Sequence, residues 1–177
     1  MGFAEESGQS MDQRDALIKD LDGEYENLYA VLVMSLGDAE KLRPVFDGWS
    51  VKDVLAHVAA WLREGARGLE GVAEGRQAVL ESLDDEVDAR NARFVEQWRV
   101  ASVQEVETEL HLAKDAFVRA VRALPPERFA EGEPARHIVL EEGIDHFKEH
   151  AQQTYEWKER EEAGRPVPPG MPREAIG

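Results

Sequence analysis

Five histidines, His57, His111, His137, His146 and His150, stand in a chain that has no cysteine. Without a thiol there is no disulfide framework, thiolate zinc site, iron–sulfur cluster or intrinsic thiol nucleophile, so any metal must be held by imidazole or carboxylate. His146 and His150 are one helical turn apart, which puts both rings on one face with Cβ atoms about 6 Å apart, close enough to share one metal. His57 stands three residues after Val54 and four before Trp61, on the border of an apolar stripe, so a third imidazole from a second helix is sterically reasonable. The competing reading is that His57 donates to Asp53, one turn away, while the other two rings face solvent; spacing alone leaves both open. His111 lies in line with Glu107, Lys114 and Asp115 on a solvated flank, and His137 falls in a first helical turn, so neither is assigned a role. Trp49, Trp61, Trp98 and Trp157 read as core and rim packing ahead of a substrate platform.

The elements that must position these residues are helical. Apolar spacing is three and four nearly throughout, strand-like alternation is missing, and the chain reads as all-α. Ser10 is placed as the cap of a first helix with Leu17, Leu21, Tyr25, Leu28, Leu32 and Leu36 on its apolar row, stopped by Gly37 and Pro44. Ser50 with Asp53 resembles a capping box, so a second helix starts near Val51 with a stripe of Val51, Val54, Leu55, Val58 and Leu62 that fades into the glycines at 65, 68, 71 and 75. A shorter amphipathic piece follows, with Asp84, Asp85 and Glu86 in its first turn and an apolar face of Leu83, Val87, Phe94 and Trp98. Ser102 and Glu105 make another capping box, for a long helix carrying Val103, Val106, Leu110, Ala113, Phe117, Ala120 and Leu124 and ended by Pro125-Pro126. The last helix is expected from about Arg136 to Ala163, with Ile138, Leu140, Ile144, Phe147, Ala151 and Tyr155 inward. Beside that row run Gly143, His146, His150, Gln153 and Trp157, with Gly143 leaving room for the rings.

Four long helices and one accessory helix predict a four-helix bundle, a single domain over 10–163. The segments 1–9 and 164–177 are expected to be flexible, the second Pro-rich and disordered. The connection from Gly65 to Ala101 is long enough that the second and third long helices need not be antiparallel neighbours. With 21 Lys and Arg against 37 Asp and Glu, the formal charge of −16 disfavours nucleic acid and anionic lipid as partners. No leader-like start or apolar run of membrane-spanning length is present, and the expectation is a cytoplasmic protein.

Two segments carry a resemblance. Gly48-Trp49-Ser50-Val51-Lys52-Asp53-Val54-Leu55-Ala56-His57-Val58-Ala59-Ala60-Trp61 resembles the helix 2 signature of the DinB/YfiT-like metalloenzyme superfamily. Asp145-His146-Phe147-Lys148-Glu149-His150-Ala151-Gln152-Gln153 is similar to its helix 4 motif, a histidine pair one turn apart followed by Gln. Within the superfamily, Trp49 to Asp53 with Trp61, Asn91-Ala92-Arg93-Phe94 before the Ser102 helix start, and His150-Ala151 leading to Trp157 resemble the ClbS/DfsB-type branch. The resemblance implies an up-down-down-up bundle, a homodimer, and a divalent metal (Ni, Zn or Fe/Mn) held by His57, His146 and His150, with Asp53, Glu142 and Glu149 as candidate partners of the ligands. The activity it implies is that of a metal-dependent hydrolase or thiol transferase acting on an electrophilic small molecule. Any thiol would have to be a low-molecular-weight cosubstrate. It also implies alternatives: a ClbS-like cyclopropane hydrolase or sequestering protein without catalytic metal, its pocket lined by Trp49, Trp61, Trp98 and Tyr155, or a non-enzymatic helical dimer. The superfamily's link to stress response concerns expression and implies no DNA binding.

Overall fold

Two reciprocal caps start two of the long helices where the sequence places them. Ser50 Oγ accepts from the Asp53 backbone N–H at 3.2 Å while the Asp53 carboxylate accepts from the Ser50 N–H at 2.8 Å, opening α3 (Val51–Ala73). Ser102 and Glu105 repeat the arrangement at the start of α5 (Val103–Ala123). Each box satisfies donors that the first turn of a helix otherwise leaves without partners. A computed structural model of the chain describes residues 4–46, 48–76 and 84–164. The expected flexible tail therefore lies, from residue 165, outside the described residues.

The first helix, α1, spans Ala4–Tyr29 and continues as a π turn, Ala30–Met34, so the helix begins before Ser10, which lies within it and not at its start. The linker after it is more structured than expected. It holds a short helix, α2 (Asp38–Lys41), and a two-stranded antiparallel ribbon of β1 (Pro44–Phe46) and β2 (Trp49–Ser50), with Phe46 opposite Trp49. Gly48, at φ 90°, makes the reversal between them. A ribbon this short has no period-two pattern to read, and the fold remains all-α.

α4 (Asp84–Gln97) is the accessory helix. After α5 come a 3₁₀ turn (Pro126–Phe129) and the last long helix in three pieces: α6 (Pro134–Val139), a π turn (Leu140–Asp145) and α7 (His146–Glu162). Cross-helix contacts give the directions. Lys52 meets Ala101, Arg63 meets Glu109 and Gly65 abuts Phe117, so α3 and α5 run parallel. Arg14 reaches Leu124, Asp22 pairs with Lys114 and Tyr25 meets His111, so α1 and α5 are antiparallel. Leu21 lies against Gly143 and Tyr25 against Phe147, so α1 and the last helix are parallel. This is the up-down-down-up order, made possible by the long connection between α3 and α5.

The core is continuous through these helices: Leu21, Leu28 and Leu32, Leu55, Leu62 and Leu69, Leu110 and Phe117, and Ile138 and Phe147 have no measurable exposure. Each contributes about 1.5–3 kcal/mol of burial, against about 0–1 kcal/mol for an exposed ion pair such as Arg43–Glu161, so burial and not charge pairing holds the bundle. α3 ends at Ala73, just before Gly75, but does not fade at Gly65, Gly68 or Gly71. It runs through them because Gly65 and Gly68 are where Phe117 and Ile138 press against the backbone; a Cβ on Gly65 would sit 2.6 Å from Phe117. Gly143 likewise is filled by Leu21 and Phe117 and leaves no room for imidazoles, a correction to the expectation. α4 is fastened over α3 by the buried Lys52, whose ammonium donates to the carbonyls of Trp98, Arg99 and Ala101 at 2.9–3.2 Å. Leu83, expected on its apolar face, lies outside the described residues. No described helix is long and apolar enough to cross a membrane.

Candidate metal centre

α3 and the last helix run antiparallel, with Gly65 beside Glu142 and His57 beside His146 and His150. That register converges three imidazoles. Ring centroids are 4.8 Å apart for His57–His146, 5.2 Å for His57–His150 and 4.7 Å for His146–His150. His57 Nε2 and His146 Nε2 are 2.9 Å apart, and one nitrogen from each of the three rings lies within 4.8 Å of the others. Among the described residues this is the group of metal-binding side chains that comes together so closely. His57 is 1% exposed and His150 5%, while His146 is half-buried.

Hydrogen bonding around the rings is incomplete in a way that suits a ligand set. His150 Nδ1 meets Gln153 Oε1 at 3.0 Å, and the Gln153 amide donates to Glu149 Oε1 at 2.8 Å. The Glu142 backbone carbonyl acts on the His146 ring as an acceptor. Among the described residues, His150 Nε2 and His57 Nδ1 are buried with no hydrogen-bond partner. An imidazole nitrogen taken out of water without a partner is an expensive arrangement, and a cation is the partner that His150 Nε2 lacks, whereas His57 meets the cluster through Nε2 and not through its unpartnered Nδ1. Asn91 lies close enough to His57 to favour its charged form somewhat, but outside hydrogen-bonding geometry to Nδ1. Burial holds all three rings below the ordinary imidazole range. His57 is lowered further by His146 and His150, His146 by His150, and His150 is pushed down to about 4. The rings are therefore neutral at pH 7, the form that ligates metal. The residues present fit a divalent cation.

Residues 24–132 match the family described as the mycothiol maleylpyruvate isomerase N-terminal domain, a member of the DinB/YfiT-like superfamily of metal-dependent enzymes. The chain belongs to that family. The matched segment carries His57 and ends before His146 and His150, which the tertiary fold adds to the cluster. Among solved structures, an uncharacterised protein from Escherichia coli UTI89 superposes with a TM-score of 0.70 at 12% identity, over 87% of this chain and 96% of that one, and so shares its fold. None of the curated proteins compared with the chain matches it.

In this mycothiol maleylpyruvate isomerase N-terminal-type domain, the predicted ligand partners fare unequally. The Asp53 carboxylate is used by the Ser50 backbone and hydroxyl, so the local cap wins over His57. Glu149 acts on His150 through Gln153. The Glu142 backbone carbonyl acts on the His146 ring and its Cβ packs toward Gly65, while its carboxyl group is pushed up to about 8 by burial, then by Glu141 and Glu64, against the pull of Arg90. Of the predicted pocket, Trp49 and Trp61 flank His57 with centroids at 5.2 and 6.4 Å. Trp61 is held by its N–H to the buried Asn91 at 2.8 Å, and Arg90 lies 5.4 Å over its face. Trp98 packs against the core instead.

Tyr155 is 52% exposed and does not line the site. It is about 80° round the helix from Phe147, whereas Thr154 is within about 20° and takes the inward place. His111 is exposed, with Nδ1 2.6 Å from the Tyr25 hydroxyl, and the exposed His137 sits 3.0 Å from Glu141. Neither belongs to the three-histidine cluster. Sequence reasoning missed the work of Gln153, Asn91 and Lys52. Gln153 has a signal in its spacing, three residues after His150 and four after Glu149; Asn91 and Lys52 act across helices and have none.

Proposed function

We propose that the protein is a metal-dependent enzyme in which His57, His146 and His150 hold a divalent metal, Ni, Zn or Fe/Mn, and a low-molecular-weight thiol is used against an electrophilic small molecule. The observation that supports this is the convergence of three neutral imidazoles, His57 and His150 buried and His146 half-buried, with His150 Nε2 left without a hydrogen-bond partner among the described residues. When bound, such a metal supplies Lewis acidity that lets a thiol or water lose its proton near neutral pH. The thiol is external because the chain has no cysteine, and mycothiol, named in the family's description, is the leading candidate. The protein's own groups bind and shape. Trp49 and Trp61 offer aromatic faces beside His57, Glu142 sets a carboxyl group one turn from His146, and the Glu149–Gln153 pair holds His150. The setting we propose is cytoplasmic and homodimeric.

Metal analysis of protein purified without an affinity tag tests the reading. A near-stoichiometric transition metal, lost in His57→Ala and His150→Ala, is the expected result; traces well below one equivalent after growth with added metals would overturn it. A panel of electrophiles with and without thiol then separates thiol transfer from hydrolysis. Turnover by metal-stripped protein would instead favour a ClbS-like reaction without catalytic metal.

A further inference from the structure

Two acceptors and one amide determine which nitrogen of His150 carries its proton. Glu149, His150 and Gln153 lie on one helix at spacings of three and four, where side chains meet over a single turn. The Glu149 carboxylate oxygen accepts, so the Gln153 NH₂, 2.8 Å away, must face it. The reversed amide would set two acceptor oxygens against each other. With its NH₂ so committed, Gln153 turns Oε1 toward His150 Nδ1 at 3.0 Å, and an amide oxygen only accepts, so Nδ1 must be the N–H. The lone pair of the neutral ring is then on Nε2, the buried atom without a partner that points away from Gln153. The neighbouring Gln152 takes no part: it is exposed and donates to Glu156 at 2.8 Å.

We infer that Gln153 and Glu149 are positioning residues that lock His150 in its Nδ1–H tautomer and so present the Nε2 lone pair to the histidine cluster. This rests on the metal-centre reading above only for its consequence, since the tautomer is a property of the metal-free protein. The same polarity chain would make His150 ready to ligate without first moving a proton. A shape-filling role for Gln153 would have no such effect on the ring.

Long-range ¹H–¹⁵N spectra of metal-free, ¹⁵N-labelled protein report the tautomer directly, with Zn²⁺ titration as the second readout. Wild type is expected to show a protonated Nδ1 and a bare Nε2 on His150. Gln153→Leu should lose that preference, and Glu149→Ala should weaken it by freeing the amide to turn. Because removal of an outer partner typically weakens metal binding 10–100-fold, a Zn²⁺ Kd raised by roughly that factor is expected in both variants. If Gln153→Leu fails to fold, the half-buried Glu149 can still be replaced. An Nε2–H tautomer in wild type, or an unchanged tautomer ratio in Glu149→Ala, would overturn the inference. Wild type that shows the Nδ1–H tautomer yet binds no Zn²⁺ would uphold the positioning role and defeat the metal reading instead.

Discussion

A buried imidazole and a buried carboxyl group answer pH with opposite signs. His150 has its pKa pushed from 6.5 to about 4 by burial, so the unfolded chain binds the extra proton first as the pH falls. Stability from this neutral ring is complete above about 6.5 and is lost as the pH drops toward 4, with His57 and His146 acting in the same direction. Glu142 is raised from 4.5 to about 8, so the folded state prefers its protonated form. Its contribution is complete below 4.5 and is lost as the pH rises through 8. Two outcomes are expected in urea titrations of metal-free protein. Wild type should lose stability between pH 6.5 and pH 5, beyond what a His150→Gln variant loses. Glu142→Gln should gain on wild type as the pH rises from 5 to 8, and a parallel pH profile for the two proteins would show that the Glu142 carboxyl is not held neutral.

At the scale of elements, the glycines separate propensity from packing. Glycine in a helix costs about 0.5–1 kcal/mol relative to alanine. Gly23, on α1, has nothing within 4 Å of the place a methyl group would take, so Gly23→Ala should stabilise by about that amount. Gly143 has the same chemistry and the opposite expectation. A Cβ there would come 2.5 Å from Leu21 and 3.2 Å from Phe117, both fully buried, and overpacking of this kind costs about 1–3 kcal/mol. Thermal or chemical melts of the two variants should therefore shift in opposite directions. Helix starts at Val51 and Val103 were legible because a capping box is a local device of four residues. The continuation of α3 past Gly65 was not, because the stabilising partner, Phe117, comes from another helix.

For the whole molecule, the metal and the fold are linked. A ligand bound only by the native state stabilises it by RT ln(1 + [L]/Kd), about 2.7 kcal/mol at a hundredfold excess over Kd. Added Zn²⁺ should raise Tm, a chelator should reverse the rise, and His57→Ala should be insensitive to both; an equal rise in that variant would place the cation elsewhere. His57 is the informative choice because it alone ties α3 to the last helix within the cluster.

The one-turn spacing of His146 and His150 and the Ser50–Asp53 cap are local, and the geometry of a helix turn made them readable from the residues alone. Helix-period apolar rows did the same for the bundle. Tertiary packing decided the rest. Antiparallel α3 and α7 set the register that brings His57 Nε2 to 2.9 Å from His146. The inward side of α7 goes to Thr154 and Trp157 and leaves Tyr155 in solvent. Asp53 is spent on its own helix start, so Glu149 reaches a histidine only through Gln153. Neighbours within one turn are dictated by the chain's own repeat, whereas partners across helices depend on how a core of interlocking side chains fixes rotation and register.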